Sequence, residues 1–161
     1  MSGFPILAFL AGRGRDGSGR LLSEVLAFDD AAIEGVHDFI QWCFPSMEPS
    51  RAVPGAPVLA PGEAEAIRAD PEARAGLARA LARMERFYGS TDDWLSAFDH
   101  NHLRITRIVA AARDLLAHDA FAGEEHRRVE VALERLARLH TRGGVGEVDA
   151  EVDAHDRGAG L

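Results

Sequence analysis

Lysine is missing from this chain: all 18 basic residues are arginine, a bias that reads as a G+C-rich bacterial coding sequence. Those cations are outnumbered by 26 acids, the formal net charge is −8, and no block of five or more basic residues offsets it locally. A phosphate backbone would be repelled, so no nucleic acid is expected as a partner. Cysteine is nearly missing as well. Cys43 stands alone, which excludes a disulfide framework and a cysteine-based zinc site and suits a reducing compartment, with the cytoplasm as the expected location. Long apolar runs are the third absence. ILAFLA, residues 6–11, is too short for the apolar region of an export signal, and no run approaches the roughly 18 residues of a membrane span.

What remains is the composition of one soluble domain, 47% apolar and 27% charged over 161 residues. GRGRDGSGR, residues 12–20, holds four glycines in nine residues and reads as a loop. A first helix is expected over about 21–28. A second, capped by Asp29 or Asp30, is expected to run to about Phe44, where Pro45 stops it. Residues 45–61 carry five of the seven prolines and read as a semi-rigid connector over the surface. A short helix near 62–69 precedes DPE, in which Asp70 is an N-cap and Pro71 occupies the first helical position. Leu77, Leu81, Met84 and Tyr88 mark the buried face of the helix that follows, up to Gly89.

Two more helices are expected over about 101–117 and 124–141. The fold class is therefore all-α: a single compact domain, residues 1–142, of five or six helices packed around one core. From Gly143 to Leu161 the helical apolar period stops, and five glycines mix with five acids. Residues 143–161 are expected to form a flexible acidic tail that cannot order itself.

Two polar stretches stand out. On a continuous second helix, Ile33, Val36, Ile40 and Phe44 fall within an arc of about 80°. His37 lies in or beside that arc, Gln41 at its edge, and Trp42 on the far side. This makes His37 an enclosed, core-type histidine whose alternative role is ligand contact. In DHNHLRITR, residues 99–107, Asn101 falls on the core side of its helix, His102 and Arg104 border it, and Thr106 and Arg107 point outward. A helix N-terminus with Asn, His and Arg on its inward rim is either an elaborate cap or a small anion site. His100 and His102 diverge by about 200° on a helix, so no metal site is expected. No P-loop, nucleophile elbow or dinucleotide fingerprint is present, so no catalytic residue and no cofactor are expected.

Taken together, IEGVHDFIQWCFP, FYG and HNHLRITRI, in that order, resemble the signature of the opioid growth factor receptor conserved domain, over about residues 9–122. The resemblance implies an α-helical domain and a receptor-type protein that binds an enkephalin-like peptide, without transmembrane segments and, in animals, associated with the nuclear envelope. Peripheral membrane association is implied on that ground alone. It supplies no catalytic residue. The chain has Cys43 where leucine is usual and RAVPGAP where RFNPDAP is commoner. The expected ligand is thus a peptide or small anion in a cleft between the two motifs, contacted by His37, Gln41, Trp42, Asn101, His102 and Arg104. The alternatives are a scaffold domain without a small-ligand site, or an enzyme using His37 with the HNHLR cluster.

Overall fold

The computed structural model of the protein describes residues 3–91, 100–117 and 123–144. The expected flexible tail lies, from Val145 onward, outside the described residues, as does Asp99, expected in the cap of the fourth long helix. Among the described residues there is no strand, and no helix is long and apolar enough to cross a membrane. The helices are α1 Pro5–Leu10, α2 Leu22–Leu26, α3 Asp30–Gly35, α4 Ile40–Cys43, α5 Glu63–Ala69, α6 Pro71–Ser90, α7 Asn101–Leu115 and α8 Glu124–Gly144.

The all-α, single-core architecture is as expected, with two differences in how the helices divide. The apolar lead-in is itself a helix. Six residues do not hold a helix alone; α1 persists because Ile6, Phe9 and Leu10 are fully buried and because Glu63 caps it from afar. The buried Glu63 carboxylate accepts from Ile6 N (2.9 Å) and Leu7 N (3.2 Å) with one oxygen and from Ala60 N (2.9 Å) with the other, so orphan donors of the first turn are satisfied.

The central helix is α6, which packs against α1, α2, α5, α7 and α8. Its start is as the sequence dictates: Asp70 accepts from Glu72 N and Ala73 N, and Pro71 sits in the first turn. Leu77, Ala80, Leu81, Met84 and Tyr88 are buried along it. Gly76 lets α1 cross at backbone contact, since a Cβ there would lie 1.8 Å from the Leu10 carbonyl oxygen. The last helix, α8, buries Val129, Ala132, Leu133 and Leu136 against this core.

The second difference bears on the site. The expected continuous helix over 30–44 is broken into α3 and α4, with Val36 extended (φ −97°, ψ 124°). Gly35 weakens the helix there and Val36 favours extended backbone. Two distant residues then hold the gap open. Arg20 and Ser18 draw Asp38 toward the glycine-rich loop, and Arg104 takes the carbonyls of Ile33 and Val36. The core-face assignment of His37 fails in consequence: its side chain is exposed, because the angular count assumed a helix that stops before it.

Candidate functional site

Around the break, three arginines do different work. Arg104, 7% exposed, donates from Nη1 to Ile33 O (2.7 Å) and from Nη2 to Val36 O (2.7 Å), and Nη2 lies 3.1 Å from His37 Nδ1. Its guanidinium also sits over the Phe39 ring, 5.7 Å from the centroid. A planar fork bridging two carbonyls is a clamp on the α3–α4 turn.

Arg20 makes the second clamp. Its Nε donates to Asp16 (2.7 Å) and its Nη2 to Asp38 (2.7 Å). The Asp16 side chain is wholly buried and organises its own loop by accepting from Ser18 N and Arg20 N, with Gly19 at φ +80° closing the turn. Burial works against the Asp38 carboxylate, but the Ser18 hydroxyl and Arg20 more than offset it and hold its pKa below the ordinary 3.8. A depressed carboxylate stabilises the fold above its unfolded pKa, and this contribution is lost as pH falls through the folded value. Wild-type protein is therefore expected to lose stability with acid more steeply below about pH 4 than Asp38→Asn. Unfolding midpoints measured from pH 6 to pH 2 check it, and parallel profiles would remove Asp38 from the clamp.

The third arginine is Arg107, one turn beyond Arg104. Its Nε donates to Phe44 O (2.7 Å), while Nη2 is buried without a partner. Burial lowers its pKa, and among the described residues no carboxylate counters that effect. It lines a cleft of about 520 Å³ whose walls are α7 on one side and α4 with the proline-rich connector on the other. Gln41, 4% exposed, lines the same cleft, with Oε1 buried and unpartnered. Arg51, Arg68, His37 and His100 add to its lining, as do the exposed Met47 and Leu103. Among the described residues the acids of the wall are Glu48 and Asp114.

The six candidate contacts thus separate. His37, Gln41 and Arg104 line the cleft. Asn101 is fully buried, accepting from the Tyr88 hydroxyl (3.0 Å) and donating to the Glu34 carboxylate (3.0 and 3.2 Å). Trp42 packs edge-on against Phe9, 5.6 Å between centroids, facing the loop side of the break. His102 lies against His140, 5.4 Å between centroids, whereas His100 meets His37 at 5.1 Å, so the two imidazoles of H-x-H go separate ways. Among the described residues no group of three or more His, Cys, Asp or Glu side chains is arranged for a metal ion.

Sequence reasoning missed two residues. Arg107 was expected to point outward, but it is half-buried in the cleft wall; its i, i+3 spacing from Arg104 was the available signal. Glu34 was not singled out, yet its carboxylate faces Asn101 and lies 3.6 Å from His100 Nε2. A protein acid thus meets the inward rim of α7. Cys43 is fully enclosed, burial pushing its thiol up to about 12, which rules out a thiolate nucleophile at neutral pH.

A family model described as opioid growth factor receptor (OGFr) conserved region matches residues 22–126. No curated protein and no solved structure matches the chain.

Proposed function

The chain belongs to the opioid growth factor receptor conserved-region family, and on that premise we propose that it is a non-enzymatic helical binding module for a peptide or small anionic ligand, held in the cleft between α7 and the α4–connector wall. The observation that carries this reading is Arg107, a partly desolvated cation with no carboxylate among the described residues to balance it. A half-buried cation that lacks a counter-charge is held at some cost to the fold. A ligand anion is the missing counter-charge.

The rest of the lining refines the guest. Further arginines on a chain of net charge −8 make the cleft a local positive spot. Met47 and Leu103, 70% and 69% exposed, put apolar surface at the same opening. An anion beside an apolar group is what a peptide ending in a hydrophobic residue presents. Gln41 supplies an amide for a second polar contact. His37 Nδ1 is taken up by Arg104, which favours a holding role over proton transfer at that nitrogen.

Arg107→Gln tests the reading, because it removes the cation and leaves the Arg104 clamp. Its stability is expected to stay within about 1 kcal/mol of wild type, since the relieved desolvation offsets the lost hydrogen bond to Phe44 O. In calorimetric titrations at low salt, wild type is expected to bind an N-acetylated dipeptide with a C-terminal leucine and free carboxylate, and to bind its C-terminal amide at least tenfold more weakly, by about 1.4 kcal/mol or more. The variant is expected to lose that discrimination. Equal affinity of wild type for acid and amide, or no binding to either, would overturn the reading.

A further inference from the structure

A second opening, a groove of about 900 Å³ between α6 and α8, carries charge of the same sign as the cleft and has no part in the proposed ligand site. Its lining includes apolar Ala82 and Leu139 and the three cations Arg86, Arg135 and Arg138. Among the described residues Glu85 is the one acid in it and accepts from Arg135 Nη1 (2.8 Å), while Arg138 Nη1 lies 4.0 Å from the exposed Glu134 carboxylate beside the groove, so Arg86 is the cation of the three with no carboxylate partner among the described residues. Thr141, within one turn of the end of α8, lines the groove too, so the chain that continues past Gly144 starts at its mouth.

That continuation has the complementary chemistry. Residues 147–154 read EVDAEVDA, the same four residues twice. Extended backbone sets alternate residues on opposite sides, which would put Val148, Ala150, Val152 and Ala154 on one edge and Glu147, Asp149, Glu151 and Asp153 on the other. One edge suits the apolar lining and the other the arginines. Fully extended, these eight residues span about 26 Å, and a tether this short holds its segment near the groove at millimolar effective concentration.

We infer that residues 145–154 of the same chain occupy the α6–α8 groove, with the valines against Leu139 and Ala82 and the acids paired with Arg86, Arg135 and Arg138. The segment is too poor in apolar residues to order alone, and orders on a surface already built. Exposed pairing of this kind is weak singly and screened by salt. The docked segment is therefore held by several pairs at once.

Amide hydrogen exchange on the full chain tests this. At about 20 mM salt the amides of residues 147–154 are expected to exchange roughly tenfold more slowly than an unstructured peptide, and within about twofold of it at 1 M salt, where the screening length is about 3 Å. Arg86→Glu with Arg138→Glu, both at exposed positions, is expected to abolish the protection. Reversing the tail with Glu147→Arg, Asp149→Arg, Glu151→Arg and Asp153→Arg in that background is expected to restore it. Unprotected amides in wild type at low salt overturn the inference, as does protection indifferent to the double variant or to salt. Protection that appears only at protein concentrations where sedimentation shows a dimer would assign the groove to a second copy, which overturns it equally.

Discussion

Gly76→Ala is expected to cost more than about 4 kcal/mol, enough to leave the chain largely unfolded at ambient temperature. The sign is the informative part. In an exposed helix interior the same change stabilises by about 1 kcal/mol, because alanine loses less backbone freedom on folding. At position 76 the new methyl would meet the Leu10 carbonyl oxygen at 1.8 Å, with the Leu10 carbonyl carbon and Leu22 Cδ2 each at 2.9 Å. Backbone on one side and a fully packed leucine on the other leave no cheap relaxation. Gly89, in the same helix, is the internal control: among the described residues nothing lies within 4 Å of a Cβ there, so Gly89→Ala is expected to be neutral or to stabilise by up to about 1 kcal/mol. Urea unfolding followed by circular dichroism reads both. A Gly76→Ala variant as stable as wild type would mean that α1 does not cross α6 at this point.

The second large effect is expected at Arg104. Arg104→Met keeps an apolar stem of similar length but leaves the carbonyls of Ile33 and Val36 without their donor. Each buried unpaired group costs about 1–3 kcal/mol, which puts the loss at about 3–5 kcal/mol. Arg104→Lys is expected to recover little of it, since one ammonium cannot present the flat fork that spans two carbonyls. The damage should be local before it is global: amides of residues 36–39 are expected to lose protection in the lysine variant at urea concentrations where α6 is still protected. If Arg104→Met costs less than about 1 kcal/mol, the clamp is not what holds the break.

These two residues mark where the fold was legible in the sequence and where it was not. The cap and apolar stripe of α6 were readable because every residue that makes them lies within the helix. The existence of α1 was not, because a six-residue helix depends on Glu63, 57 positions from Ile6, and on a glycine in another helix. The break between α3 and α4 failed for the same reason: its cause is a guanidinium 68 positions beyond Val36. Once the helix was assumed continuous, the angular count carried His37 into the core. Arg107 was misplaced by a different error, since an angular count that knows only core and solvent has no category for the wall of a cleft. The family resemblance was carried by long strings, IQWCFP and HNHLRITRI, and the structure gives those strings a physical reason: Arg104 and Arg107 of the second donate to backbone carbonyls in or beside the first.

The two arginines of α7 divide their labour on this reading: Arg104 holds the cleft together and Arg107 serves the ligand. The most direct measurement is the unfolding free energy of wild type, Arg104→Lys and Arg107→Gln in urea at low salt, each with and without the N-acetylated leucine dipeptide acid at about a hundred times its wild-type Kd. Binding to the native state alone should add about 2.7 kcal/mol to wild type. Arg104→Lys is expected to start lower but, while folded, to gain most of that increment, whereas Arg107→Gln is expected to start near wild type and to gain almost none. An Arg107→Gln protein that gains the full increment would contradict it.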